Sequence, residues 1–252
     1  MILSKAKTSL YASLSQRKMR RRHSLFVVEG SKSVADTFGS FPLEALVASE
    51  SWASSHSGLM REAGGCAAIA PRQAIDRISS LSTSPEVLAV YRLPEPESEP
   101  ESLPGDSLSL MVDGVQDPGN LGTLVRTAHW FGFTTVYASH ETADIFNPKA
   151  IQASMGSVAA VKVVYCSLPE LIARSGDIPV IGTLLDGDDI FHTALPTRGA
   201  IVLGNEGNGL SDEVRSLVTC PLLIPPYNKV YHGESLNVAT AGAIVMALFR
   251  HH

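Results

Sequence analysis

The sequence predicts an α/β protein with a mainly parallel sheet flanked by helices in residues 107–252 and a smaller α/β domain in residues 1–93. Three observations support this class. After residue 107, apolar runs of strand length alternate with helical patterns, which is typical of a parallel sheet covered on both faces. Residues 94–106, PEPESEPESLPGD, are rich in Pro and Glu without hydrophobic periodicity and predict a linker. The 252 residues also exceed the usual size of one domain.

In the N-terminal domain, a basic face and helical spacing of apolar residues predict one helix over residues 9–25, SLYASLSQRKMRRRHSL. LFVVEG reads as a strand ending in Gly, and a helix follows from Ser31. LEALVAS and GCAAIA predict short strands, and APRQAIDRISSL predicts a helix.

In the C-terminal domain, the alternation predicts strands near residues 108–113, 134–138, 161–165, 178–183, 200–204 and 221–224. The intervening patterns predict helices over residues 120–131, 148–157, 168–175, 210–218 and 235–249. For the last helix, Ser235 is a suitable N-cap.

The charge is divided unevenly along the chain. Residues 1–93 hold 12 Lys and Arg against 7 Asp and Glu, whereas residues 94–252 hold 8 against 18. This division indicates an N-terminal part that contacts a polyanion. The first 22 residues contain no acidic side chain and seven basic ones: Lys5, Lys7, Arg17, Lys18, Arg20, Arg21 and Arg22.

Several classes of protein are disfavoured. Cys66, Cys166 and Cys220 are scattered, and their spacing supports neither a disulfide framework nor a metal site, so we expect reduced thiols and no metal. The N-terminus lacks the apolar segment of a signal peptide, and the longest apolar run is too short to span a bilayer. We therefore expect a cytoplasmic protein without a membrane partner.

Three polar, Gly-rich turns each follow a predicted strand. They are VDGVQDPGNLGTLVRTA (112–128), VLGNEGNGLSDEV (202–214) and LLIPPYNKVYHGESLNVATAGA (222–243). By itself, GNEGNG is compatible with a simple strand-to-helix joint or with a nucleotide loop. Its spacing differs from the G-x-G-x-x-G of dinucleotide folds, which argues against a nucleotide-dependent oxidoreductase.

Together the three turns resemble the sequence motifs of the SpoU/TrmH family of RNA 2′-O-ribose methyltransferases, within the SPOUT superfamily. The first motif matches at Asp113, Val115, Asp117-Pro118, Asn120, Gly122 and Arg126-Thr127-Ala128. The second matches at Gly204-Asn205-Glu206-Gly207 and Gly209-Leu210, and the third at Ile224-Pro225 and Ser235-Leu236-Asn237-Val238-Ala239. The N-terminal region also resembles the substrate-binding domain of the family.

The resemblance implies a trefoil-knotted catalytic domain that binds S-adenosyl-L-methionine. Backbone groups around Gly204, Ile224 and Leu236 would hold the cofactor, with Thr183 and Leu184 near the adenine. The last helix, with its small residues, would pair two subunits into a homodimer.

The resemblance also implies which residues act on the ribose. A 2′-hydroxyl is a weak nucleophile until its proton is removed or polarised. A free guanidinium is a poor base, so we favour Arg126 as the group that fixes a phosphate and stabilises alkoxide charge, while proton acceptance stays open. Asn120, Glu206, Ser235 and Asn237 would orient the ribose and Arg126. Asp113 reads equally well as a strand-end residue.

Two regions are less well defined by the resemblance. The turn PYNKVYHGE (226–234), with Tyr227, Lys229, Tyr231 and His232, is longer than is common in the family. In the N-terminal domain, Tyr11 and Phe26 are candidates for base stacking but fit a core equally.

The favoured hypothesis is S-adenosylmethionine-dependent ribose 2′-O-methylation of RNA, with ribosomal RNA ahead of tRNA. The alternative is a non-catalytic RNA-binding or assembly factor on the same scaffold. The complete set of motif residues argues against that alternative.

Overall fold

The structure, a computed structural model, describes residues 3–95, 98–227 and 235–251. The chain forms two compact units. The first comprises Met1–Pro96 together with Asp144–Ala159, and the second comprises Glu97–Ala143 and Ala160–His252. The segment Asp144–Ala159 therefore packs with the N-terminal unit, although it lies between two strands of the second unit in sequence. The domain limits at residues 93 and 107 stay a prediction.

The described residues of the first unit form a four-stranded sheet in the order β1-β4-β2-β3, in which β4 is antiparallel to β1 and β2. Its strands are β1 (Leu25–Glu29), β2 (Leu43–Ala48), β3 (Ala67–Ile69) and β4 (Val87–Arg92). Its helices are α1 (Lys5–Ser13), α2 (Arg17–His23), α3 (Ser31–Thr37), α4 (Glu50–Ser55), α5 (Ser57–Ala63), α6 (Arg72–Ile78) and α8 (Pro148–Ser154). The sequence patterns did not predict β4, α4 or α5.

The predicted helix over residues 9–25 is divided into α1 and α2. The carbonyl oxygens of Leu14 and Ser15 each accept a hydrogen bond from Nη1 of Arg20 at 2.9 Å. Gln16 is extended. These side-chain bonds replace part of the regular helix ladder, so the backbone turns between the two helices.

Arg20 has an internal role that its basic neighbours lack. Its side chain is 2% exposed, and Nη2 lies 2.7 Å from Oδ2 of Asp144 in the late segment. This corrects the expectation that Arg20 contacts RNA, because a buried and paired guanidinium is not available to a phosphate. Tyr11 and Phe26 are likewise core residues, 1% and 0% exposed, and not stacking platforms.

Aromatic packing also attaches the segment Asp144–Ala159, the late segment, to the rest of the first unit. The ring of Phe146 lies 4.6 Å from Phe26 and 6.3 Å from Phe41, measured between ring centroids. Gly156 has a φ of +85°, and a Cβ there would lie 2.6 Å from Cβ of Asp36. The late segment is therefore part of the core of the first unit.

The described residues of the second unit form a six-stranded sheet in the order β10-β8-β9-β5-β6-β7, and each of its strand pairs is parallel. This confirms the predicted α/β class and parallel sheet. The strands are β5 (Leu108–Val112), β6 (Thr135–Ala138), β7 (Lys162–Tyr165), β8 (Val180–Asp189), β9 (Gly199–Leu203) and β10 (Cys220–Leu223). The helices are α7 (Pro118–Trp130), α9 (Leu168–Arg174), α10 (Asp212–Ser216) and α11 (Val238–Arg250).

Two features of the C-terminal end qualify the sequence predictions. Helix α11 begins at Val238 with Asn237 as its N-cap, and not with Ser235. Residues 228–234 lie outside the described residues, so the predicted features of the longer turn (including Lys229, Tyr231 and His232) are not described. The knotted path stays a prediction.

We predict that Arg20→Ala lowers the free energy of unfolding by about 3 kcal/mol, because it leaves the partly buried Asp144 carboxylate without its partner. The matched control is Arg21→Ala, an exposed residue on the same helix, for which we expect a change within about 0.5 kcal/mol. Urea unfolding followed by circular dichroism measures both values. Equal effects of the two substitutions would contradict the structural role of Arg20.

Candidate active site

The three predicted motif turns meet at one edge of the parallel sheet. The first follows β5, the second follows β9, and the third follows β10 and leads into α11. Because parallel strands end at the same edge, residues far apart in sequence become neighbours there.

The side chain of Asn120 connects all three turns. Its Nδ2 donates to Oε1 of Glu206 at 2.5 Å, and its Oδ1 accepts from Nδ2 of Asn237 at 3.0 Å. Ser235 Oγ donates to the carbonyl oxygen of Glu206 at 3.4 Å. Asn120, Glu206, Ser235 and Asn237 therefore form one hydrogen-bonded group, which we call the amide cluster.

Helix caps hold the amide cluster in place. Asp117 caps α7 by accepting from the backbone N–H of Asn120 at 2.9 Å, and Pro118 occupies the first turn. Asn237 caps α11 by accepting from the N–H groups of Ala239 and Thr240 at 2.9 and 3.3 Å. Two members of the cluster, Asn120 in the first turn of α7 and Asn237 at the start of α11, are thus positioned by helix ends.

The second turn, Gly204–Leu210, is held by its own backbone and by Asn205. Asn205 and Gly209 exchange backbone hydrogen bonds of 2.8 and 3.0 Å, and Oδ1 of Asn205 accepts from the N–H groups of Gly207 and Asn208. A Cβ on Gly204 would lie 2.6 Å from the carbonyl oxygen of Gly209, so the turn closes only with glycine at residue 204.

Two further contacts tie the second turn to the first. Nδ2 of Asn205 donates to the carbonyl oxygen of Gly114 at 2.7 Å. Oδ2 of Asp113 accepts from both N and Oγ of Ser211 at 2.8 Å. The sequence left the role of Asp113 open and assigned none to Asn205, while it predicted Ser211 as the N-cap of the following helix, which it is. All three residues lie inside the motif turns, and this position was the only feature of the sequence that could have indicated a contact between the two turns.

Arg126 has no hydrogen bond to the amide cluster in this structure. It is exposed on α7, at helical spacing from Thr123 and Trp130, and it makes no hydrogen bond or ion pair with the residues that the structure describes. Its guanidinium is therefore free to meet a ligand, and its catalytic role stays a prediction.

The predicted cofactor residues lie along the β10-β8-β9 part of the same edge. Thr183 and Leu184 belong to β8 and are half-buried, while Gly204 and Ile224 directly follow β9 and β10. Leu236 is 49% exposed, and Leu185, which the sequence did not single out, is 81% exposed. Exposed apolar side chains and a closely packed glycine turn suit a ligand with an adenine ring and a methionine tail.

The predicted RNA-contacting residues other than Arg20 are exposed on the first unit. They are Lys5, Lys7, Arg17, Lys18, Arg21 and Arg22. Nζ of Lys7 lies 3.9 Å from Oε1 of Glu44, which is a weak surface ion pair. The other five have no ion pair within the described ranges. These cations are available to a polyanion.

Three observations concern metal binding, membrane spanning and the cysteine thiols. The described residues contain no group of His, Cys, Asp and Glu able to hold a metal ion. None of the helices in the described ranges has both the length and the apolar character needed to cross a bilayer. The three cysteines are free thiols, and burial raises the pKa of Cys166 to about 11, so that this thiol stays protonated at neutral pH.

Comparison with known proteins identifies the family. Residues 107–247 match the SpoU rRNA Methylase family, and residues 8–89 match the MRM3-like substrate binding domain. The chain is 31% identical over 238 residues to the 23S rRNA (guanosine(2553)-2′-O)-methyltransferase RlmP of Bacillus subtilis (strain 168), covering 92% of this chain and 91% of the relative.

Solved structures agree with this match. A Porphyromonas gingivalis protein assigned to the TrmH family of RNA methyltransferases is 36% identical, with a TM-score of 0.83 and 99% of each chain covered. The SpoU methyltransferase AviRb from Streptomyces viridochromogenes, solved with AdoMet, is 23% identical with a TM-score of 0.82, covering 98% of this chain and 97% of that one. The second likeness shows the fold. From the family matches and the near-complete relative, the chain belongs to the SpoU rRNA methylase family.

Proposed function

We propose that this protein transfers a methyl group from S-adenosyl-L-methionine to a ribose 2′-hydroxyl of ribosomal RNA. The observation that carries the proposal is the amide cluster, which joins the three family motifs at one sheet edge through Asn120. Family membership and the RlmP relative support ribosomal RNA over tRNA. We also place the reaction in the cytoplasm.

The cofactor supplies an electrophilic sulfonium methyl when it is bound. We assign its binding to Thr183, Leu184, Gly204, Ile224 and Leu236. The tight Gly204 turn leaves backbone groups as the recognition elements, and Leu236 provides apolar surface for the ligand to cover. Such a site orients its ligand through shape and backbone groups.

The remaining residues act on the RNA. The amide cluster orients the ribose, since Asn120 has its donor and acceptor directions set by Glu206 and Asn237. Arg126 binds a phosphate and stabilises the negative charge that develops on the 2′-oxygen. Because this exposed guanidinium has no ion pair with the described part of the chain, it can make these contacts without breaking one there.

We predict that Arg126→Ala lowers methyl transfer by about 100-fold or more, because a preorganised charge-stabilising donor is lost. The affinity for S-adenosylmethionine, measured by calorimetry, should change less than twofold. The control is Arg198→Ala, another exposed arginine of the second unit. The assay follows tritiated methyl from the cofactor into ribosomal RNA and then into alkali-resistant dinucleotides.

Three outcomes would contradict all or part of this scheme. Label on a base would reject ribose methylation. Near-normal transfer by Arg126→Ala would remove Arg126 from the chemistry but leave the reaction class intact. RNA binding without cofactor binding would favour the non-catalytic assembly factor.

The exposed cations of α1 and α2 provide the RNA affinity in this scheme. We predict that Arg21→Ala/Arg22→Ala weakens RNA binding and lowers the slope of log K against log salt by about 1 to 2, since each lost phosphate contact releases one counterion fewer. The control, Arg61→Ala/Arg77→Ala, removes two exposed charges elsewhere on the same unit. Filter binding at several salt concentrations measures both slopes, and equal slopes would contradict the assignment.

We further propose a homodimer that uses α7 and α11. Trp130, near the end of α7, is 85% exposed, and we assign it to the contact with a second copy of the chain. Gly242 of α11 serves packing within the chain instead, because a Cβ there would lie 2.8 Å from Cδ1 of Leu203. Light scattering should give about twice the chain mass of 26.8 kDa, and Trp130→Glu should give the single-chain mass. Wild-type protein of single-chain mass at assay concentrations would contradict the dimer.

A further inference from the structure

A recess lies on the same sheet edge as the amide cluster. A cleft of about 400 Å³ opens at the carboxyl ends of β5, β6, β7 and β9. Its wall includes Asn205 and Asn208 of the second turn, whereas Asn120, Glu206 and the five proposed cofactor residues are not among the described residues that line it. The second turn therefore borders the cleft through Asn205 and Asn208 and belongs to the amide cluster through Glu206.

The lining of the cleft is rich in hydrogen-bond acceptors. Carboxylates come from Asp113, Glu141 and Glu213, and amide oxygens come from Gln116 and Asn208. No Lys or Arg is among the described lining residues. A phosphate would be repelled here, whereas a neutral group carrying N–H donors would be attracted.

Asp113 provides an acceptor at the buried part of the cleft. The residue is 6% exposed, and both Ser211 donors bind the same oxygen, Oδ2. The other oxygen, Oδ1, has no donor among the residues that the structure describes, and Asp113 lines the cleft. Oδ1 is not among the fully buried polar atoms that lack a partner, so it is open to water or to a ligand that brings a donor.

We propose that this cleft binds a nucleobase of the substrate RNA, adjacent to the methylated nucleotide, through the amino and ring N–H groups of that base. The inference rests on the proposed function. The volume accommodates a base, and bases of single-stranded RNA can be turned out and bound along their polar edges. Carboxylates accept from base amino groups, so guanine, adenine and cytosine fit better than uracil.

The shared turn explains why such a base would influence the reaction. Glu206 on the second turn holds Asn120, and Asn205 and Asn208 on the same turn face the cleft. A base seated against Asn208 selects RNAs whose neighbouring nucleotide fits and positions them beside the amide cluster. The cleft is thus a specificity-determining site, distinct from the catalytic one.

The test couples a change in the protein to a change in the RNA. Glu141→Gln keeps the size of the side chain and replaces one acceptor oxygen by a donor. Its control, Asp177→Asn, makes the same charge change at an exposed position of the second unit outside the cleft lining. The probes are an oligoribonucleotide spanning the methylated nucleotide and versions with one abasic residue at each of the three flanking positions on either side.

On the intact RNA, we expect Glu141→Gln to lower kcat/KM about tenfold, mainly through KM, with unchanged affinity for S-adenosylmethionine. One abasic substrate should lower the wild-type kcat/KM by a similar factor and should not lower that of Glu141→Gln further. Asp177→Asn should behave as wild type throughout. Gln116→Ala provides a second lining variant, for which the same coupling at the same position is expected.

The inference would be overturned if the losses in kcat/KM from Glu141→Gln and from the abasic residue simply multiplied at every position. It would also be overturned if neither lining variant changed kcat/KM on the intact RNA. These outcomes require an active wild-type protein and leave the proposed function in place. Wild-type protein that binds S-adenosylmethionine but methylates no RNA would instead reject the proposed function, and the inference with it.

Discussion

The geometry of the site depends on the side-chain amide of Asn120. An amide is both donor and acceptor, and here it bridges the carboxylate of Glu206, 86 residues away, and the amide of Asn237, 117 residues away. The backbone N–H of Asn120 is bound to the cap residue Asp117, so the side chain starts from a restrained position. An aliphatic residue could fill the space but could not set the directions of both neighbours.

Within the described residues, the turns around this amide are held by hydrogen bonds, most of them to the backbone, and no ion pair joins them. Asn205 binds Gly114, Gly207 and Asn208, and Asp113 binds Ser211. Such bonds restrain a loop while leaving charged side chains free for a ligand. Arg126 is the clearest example of such a free charged side chain, since its guanidinium has no partner among the described residues. Restraint of the loops and availability of the charge are thus provided by different residues.

The first unit shows how burial changes the role of one residue type. Arg20 and Arg21 are adjacent on a basic helix, yet Arg20 is buried against Asp144 and Arg21 is exposed. The first stabilises the attachment of the segment Asp144–Ala159, and the second is available to RNA. That segment brings Phe146 into the aromatic core, so the first unit includes residues that follow two strands of the other sheet in sequence.

The sequence by itself determined the α/β class and the succession of strands along the chain in the second unit, because hydrophobic periodicity is a local property. The motif residues came from the resemblance to the SpoU/TrmH family. It also led to the amide cluster, since each member belongs to a motif turn. Only the tertiary structure decided that Arg20 is buried, that β4 joins two strands of the first sheet, and that Asp144–Ala159 packs with the first unit. It likewise decided that Asp113 and Asn205 fasten the second turn to the first. These features depend on contacts between residues far apart in the chain, and no local pattern records which distant residue will arrive as the partner.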